Sequence, residues 1–135
     1  MSNTWMVVWA FVAWTLALLV LMEALRTRLV VTGQVPPNGF TPDNANLSPF
    51  MQRLARAHAN CLEGLPVFGG LLLLAEVAGR AHVTDPLAGV FLVARIVQSL
   101  IHLASVSPSA VKARFLAFAV QMALALYWAV RLLTG

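Results

Sequence analysis

The stretch WMVVWAFVAWTLALLVLM, residues 5–22, runs for eighteen residues with a single polar side chain, Thr15. At about 1.5 Å per residue, an apolar helix of this length extended by its flanks crosses a hydrocarbon core of about 30 Å. Glu23, Arg26 and Arg28 close the run. No basic residue precedes it and no small-x-small cleavage site follows closely, so it reads as a retained span rather than a leader.

The remainder of the chain repeats this pattern. Of 135 residues, 60% are hydrophobic and 10% charged, where a soluble domain carries about 25% charged residues. That excludes both a water-soluble globule and a disordered chain. Four spans of about 20 residues use roughly 80 residues and leave only connections, so any chemistry has to sit within the membrane bundle or at its edge. The lone Cys61 excludes a disulfide framework within one chain and offers no zinc-type cluster, so no metal is expected.

Punctuation places the spans. A Gly-, Pro- and Asn-rich loop follows the first, over residues 32–47. Ser48-Pro49, Asp85-Pro86 and Ser107-Pro108 each combine an N-cap side chain with a proline at the first helical position, where its missing N–H costs nothing. The expected architecture is an all-α integral membrane protein, a four-transmembrane-helix bundle forming one domain over residues 1–135. Its helices are expected at about 5–31, 48–79, 86–105 and 108–134. Pro66 falls inside the second, which membrane helices tolerate.

Charge sets the expected orientation. Arg26, Arg28, Arg53, Arg56, Lys112 and Arg114 gather around the first and third connections, and Arg80 and Arg131 lie on the opposite side. By the positive-inside rule both termini then face away from the cytoplasm. The net charge of +4 is then mostly a one-sided cytoplasmic charge on a chain whose expected partner is the lipid bilayer. A nucleic-acid partner is excluded because no basic groove alternates with exposed aromatics.

Polar groups at membrane depth are costly, which makes their positions informative. On the second helix Arg53, Arg56, Asn60 and Glu63 form one stripe, and on the third Arg95, Gln98, His102 and Ser105 form another. Arg114 and Gln121 share a face of the fourth. Equal rise from the two ends of the second connection puts His102 at the level of Glu63, with Gln98 and Arg95 deeper. Arg26, Arg56, Arg95 and Arg114 outnumber the one internal acid, Glu63, and such an excess calls for an anion. Two structural alternatives stand beside this reading. Arg26, Arg28, Arg53 and Lys112 also fit as anchors that snorkel to lipid phosphates, and Arg95 also fits as a helix-bridging partner of Glu63.

The segment RAHANCLEGLPVF, residues 56–68, resembles the signature of the MAPEG family, the membrane-associated proteins of eicosanoid and glutathione metabolism. The pattern R-A-x-x-N-x-x-E-x-x-P-x-F is long, and the resemblance continues through Arg95 with Gln98 and through Arg114 with Phe118, across essentially the whole chain. It implies a homotrimer that binds glutathione, as co-substrate, between neighbouring subunits near the cytoplasmic face. Arg56, Asn60 and Glu63 match glutathione-binding positions of the second helix. Arg95 joins them on the third helix, where Gln98 and His102 match positions at which the eicosanoid enzymes carry His or Tyr and then Tyr. Arg114 matches the arginine that stabilises the glutathione thiolate, and Arg26 and Arg28 compete for a first-helix arginine. Two departures argue against a dedicated eicosanoid enzyme. Phe115 follows Arg114 where prostaglandin E synthase has Ser, and Gly64 follows Glu63 where leukotriene C synthase has Tyr.

The residue chemistry agrees with that implication. Arginines can hold the two carboxylates of glutathione, Glu63 can take its ammonium, and a guanidinium beside the thiol favours the thiolate. The only tyrosine, Tyr127, lies too far along the fourth helix to assist. The expected function is a membrane-embedded glutathione transferase or peroxidase, with Arg114 as the catalytic residue and a lipophilic small molecule as second substrate. The alternative is a non-catalytic structural or accessory subunit that retains the fold.

Overall fold

Ser2, Ser48 and Ser107 each open a helix, the hydroxyl accepting a backbone N–H three residues on: from Trp5 at 3.0 Å, Met51 at 3.3 Å and Ala110 at 3.2 Å. In the computed structural model, which describes residues 1–135, these helices are α1 (Asn3–Val31), α2 (Pro49–Gly64) and α5 (Pro108–Thr134). After α2 the chain passes through a π-helical turn, Leu65–Gly69, into α3 (Gly70–Val77). Pro66 accounts for that turn: it lacks an N–H and its ring crowds the carbonyl one turn back, and a π turn relieves both without ending the helix. At Gly79, φ is +71°, and the N–H of Arg80 returns to the carbonyl of Ala75 at 2.8 Å. α4 (Ala81–Ala104) then begins at once.

The start of α4 corrects the sequence expectation. Asp85-Pro86 does not open this helix, which begins at Ala81 and carries Pro86 within it. His82, which the expected bounds of 48–79 and 86–105 leave between helices, is therefore helical. The Asp85 carboxylate is engaged elsewhere: it accepts from the backbone N–H of Thr4 at 2.8 Å and from the Thr4 hydroxyl at 2.6 Å. An acidic side chain of α4 thus caps the start of α1, where the helix dipole favours negative charge. Ser2 donates to Glu76 at 2.6 Å beside it. At the same end of the bundle Arg80 donates to the carbonyls of Leu132 at 2.6 Å and Arg131 at 3.0 Å, capping the last turn of α5 with a cation.

Asn3–Val31, Pro49–Val77, Ala81–Ala104 and Pro108–Thr134 are each long and apolar enough to cross a membrane. The fold is all-helical, with no strand, and fits an integral multi-pass membrane protein. α4 is the central helix, packing against α1, α2, α3 and α5, while α5 rests mainly on α4. The core is aromatic. Phe91 of α4 meets Phe11 of α1, Phe68 of the π turn and Trp128 of α5, with ring centroids 5.8, 5.4 and 6.0 Å away. α1 buries Thr4, Val7, Phe11, Thr15, Leu18 and Met22 on one stripe, while Met6, Trp9, Leu16 and Val20 remain exposed. Both faces are apolar because lipid replaces water on the outer one.

The loop between α1 and α2 turns on Asn44, which is fully buried and sits at φ 55°, a left-handed conformation that asparagine tolerates. Its amide donates to the carbonyl of Met51 at 2.8 Å and accepts from Arg26 Nη2 at 2.6 Å, tying the loop to both helices.

Candidate functional site

Three helices supply a polar network inside the apolar bundle. Arg95 of α4 is fully buried. Its Nη1 donates to Asn60 Oδ1 of α2, and its Nε donates to Gln121 Oε1 of α5 at 2.8 Å. Gln121 Nε2 donates in turn to Gln98 Oε1 at 2.8 Å. Cys61 Sγ lies 3.1 Å from Ser99 Oγ and 3.9 Å from Arg95 Nη1. The guanidinium also faces the Phe11 and Phe68 rings at 5.6 and 5.9 Å, so aromatic faces complete the shell of this cation.

A second polar group lies toward the C-terminal end of α4. Arg114 Nη1 of α5 is 3.0 Å from Nδ1 of the buried His102. A guanidinium only donates, so Nδ1 accepts and the ring proton sits on Nε2. Arg53 Nε donates to the carbonyl of Leu103 at 2.8 Å, satisfying one orphan carbonyl near the end of α4.

Arg53, Arg56 and Arg114 line a cleft of about 650 Å³ together with Gln52, Val111 and the loop residue Asp43. The Thr41 hydroxyl and then the Ala45 N–H bond to Asp43 and hold its carboxyl below the usual carboxylate range. One turn further along both α2 and α5, a groove of about 390 Å³ is lined by Asn60, Glu63, Gly64, Phe68, Phe118 and Met122. Along the seam between α2 and α5 a cationic cleft is therefore followed, one turn on, by a separate apolar groove with Glu63 the one acid in its wall.

The residues expected from sequence divide accordingly. Arg56 and Arg114 meet in the cleft, Asn60 and Glu63 in the groove, and Asn60, Arg95 and Gln98 in the interior network. Two expectations are corrected. Arg95 does not pair with Glu63: its partners are Asn60 and Gln121, and Glu63 is exposed. His102 is not level with Glu63. The register of α2 against α4 pairs Arg53 with Leu103 and Cys61 with Ser99, which puts His102 roughly two turns nearer the start of α2. The cause is the early start of α4, which shifts every depth counted from Pro86. Within this one chain Arg26 and Arg28 lie outside the lining of the cleft, and the expected site lies between subunits. Arg26 binds Asn44, the carbonyl of Thr41 at 3.1 Å and Glu23 at 3.1 Å, holding the loop that forms the cleft wall, and Arg28 is exposed on α1.

Gln121 and Ser99 were not among the expected site residues. Gln121 carried a readable signal, as the one amide in the uncharged stretch 115–130. Ser99 carried none, since a lone serine in a membrane helix packs as readily as it binds.

A family model described as MAPEG family matches residues 4–134. No curated protein and no solved structure matches the chain.

Proposed function

The chain belongs to the MAPEG family, and from that premise we propose that it is a membrane-embedded, glutathione-dependent transferase or peroxidase acting on a lipophilic second substrate. The observation that carries the proposal is the α2/α5 seam, where a cleft with three arginines lies one helical turn from an apolar groove. Such a seam suits one anionic, water-soluble reactant beside one lipophilic reactant. Arg53 and Arg56 hold glutathione carboxylates, Glu63 takes the ammonium, and Arg114 stabilises the thiolate. The thiolate sulfur then attacks an electrophilic carbon and displaces its leaving group. With a hydroperoxide it attacks the terminal oxygen, releasing an alcohol, and a second glutathione reduces the resulting sulfenic acid to disulfide and water. Both reactions draw on the same activated thiolate.

Arg56 and Glu63 are exposed on a helix that crosses the membrane, an unfavourable place for either in lipid. This supports a homotrimer in which a neighbouring subunit covers the seam and completes the glutathione site. The second reading, a non-catalytic subunit, draws support from the interior network, whose members bond to one another as packing residues do. Calorimetry of the detergent-solubilised protein with glutathione separates the two: binding supports the transferase, and a titration with no heat and no thermal protection leaves the scaffold.

Glu63 gives a cleaner test than its position in sequence suggested. Because it has no bond to Arg95, neutralising it strands no buried cation. Glu63→Gln is expected to weaken glutathione binding by about 1–3 kcal/mol at unchanged thermal stability. Unchanged affinity in calorimetry would remove Glu63 from the site.

We further propose that both termini lie outside the cytoplasm and that the cleft faces it. Arg26, Arg28, Arg53, Arg56, Lys112 and Arg114 cluster at the cleft end, against Arg80 and Arg131 at the other. A reporter active only in the cytoplasm, fused after Gly135, is expected to be silent, and strong signal reverses the orientation.

A further inference from the structure

The last turn of α4 holds two of the three arginines that line the cleft. Arg53 Nε donates to the carbonyl of Leu103, and Arg114 Nη1 donates to Nδ1 of His102, the residue before it. The connection from α4 to α5 is only residues 105–107, so the end of one helix stands beside the start of the other and the pairing is fixed by the hairpin. No carboxylate lies within ion-pair distance of Arg114, and Arg53 and Arg56 share its cleft. A guanidinium among like charges, on a long side chain at a membrane boundary, would otherwise swing toward water or lipid phosphates. His102 is the one side chain that bonds to it.

The imidazole is committed to this contact. It is buried, does not line the cleft, and makes no other hydrogen bond, its Nε2 having no partner. Whatever it contributes at the cleft therefore passes through Arg114. Because a guanidinium only donates, the ring that receives it is neutral, with its proton on Nε2. A carboxylate in the same place would grip the guanidinium more tightly but offset its charge, leaving less for an anion in the cleft. A neutral nitrogen fixes the direction of the cation and leaves the charge unspent.

We infer that His102 is a positioning residue: it holds the Arg114 guanidinium at the cleft through a neutral acceptor, which orients the cation without discharging it. The inference rests on the transferase reading, in which Arg114 faces the sulfur of glutathione, and adds to it the group that aims Arg114.

The test compares three replacements in the detergent-solubilised full chain, with glutathione affinity read by calorimetry and bound thiolate by absorbance at about 240 nm. His102→Phe keeps a ring but has no acceptor, and is expected to lower the thiolate signal about threefold or more while glutathione affinity changes less than about twofold. His102→Asn presents a neutral Oδ1 close to the position of Nδ1, and is expected to restore the signal to within about twofold of the parent. His102→Asp presents the same acceptor with a negative charge, and its signal is expected to be as low as that of His102→Phe. In an Arg114→Ala background, His102→Phe is expected to change nothing further. A further loss in that background would mean that the imidazole acts on glutathione or on the fold by another route. His102→Asn as low as His102→Phe would make the ring a packing residue, and a full signal in His102→Asp would show that neutrality is irrelevant; each of these three results overturns the inference. If His102→Phe does not fold, judged by its thermal midpoint, His102→Leu takes its place with the same expectations. Failure of the parent protein to bind glutathione, or to show bound thiolate, overturns the transferase reading and this inference together. Parent binding with a full thiolate signal in His102→Phe overturns this inference alone.

Discussion

Arg114→Ala is expected to lower turnover at least tenfold, on the order of 1.4 kcal/mol in the barrier, with a smaller change in glutathione affinity. Free thiols ionise near pKa 8.5, so at neutral pH only a few per cent of glutathione would be thiolate without help. Arg114 is the half-buried guanidinium on the α5 side of the cleft, and it bonds to His102 on α4. A cation that favours thiolate over thiol acts mainly on the reactive form and less on retention of the peptide. The variant should therefore lose thiolate absorbance, and its pH optimum should move upward. Arg114→Lys keeps the charge but loses the planar fork, and is expected to fall between parent and alanine variant. Full turnover with full thiolate signal in Arg114→Ala would transfer the role to Arg56, the other arginine of the cleft not engaged with a backbone carbonyl.

The largest stability effect is expected at Arg95. Arg95→Met keeps much of the side-chain length but deletes both charge-assisted bonds and leaves Asn60 Oδ1 and Gln121 Oε1 facing apolar surroundings. Removing the cation recovers its desolvation cost, which works in the other direction. The two unpaired oxygens and the two lost ring contacts, to Phe11 and Phe68, are expected to outweigh that recovery. A loss of about 2–4 kcal/mol is expected, read as the unfolding midpoint of the detergent-solubilised protein. Arg95→Lys should be nearly as damaging, since one ammonium cannot reach Asn60 and Gln121 with the same geometry. Parent-like stability in Arg95→Met would show that the network contributes nothing net to the fold.

These two arginines also show which parts of the molecule the sequence exposed. Four spans were readable from length, apolar composition and the two Ser-Pro starts, because each of those signals is local. The Asp85-Pro86 start was misread for an equally definite reason. A carboxylate next to a proline carries the same signature whether it caps its own helix or another, and here Thr4 claims it. Spacing correctly put Arg95 and Gln98 on one face of a helix, and Asn60 with Glu63 on one face of another. It could not say which neighbour each face would meet. Arg95 finds two amides rather than an acid, since neutral oxygens inside the bundle satisfy a guanidinium without burying a second charge. Periodicity describes a helix in isolation; partner choice depends on register between helices, which the five-residue error in the start of α4 displaced.

The cross-capping at the end remote from the cleft bears on how the protein is made. The donor that α1 leaves open at Thr4 is closed by Asp85, eighty-one residues later in the chain. At about 5–20 residues per second, a ribosome needs several seconds to supply it. Throughout that interval the first span stands in the bilayer with its leading turn uncapped by its eventual partner, and water or lipid headgroups must serve instead. The last helix, capped at this same end of the bundle, faces no such delay. Arg80 is synthesised before the carbonyls of Arg131 and Leu132 that it will hold, so the last helix meets its cap on arrival. The order of synthesis thus makes α4 the closing piece for the helix before it and the receiving piece for the helix after it.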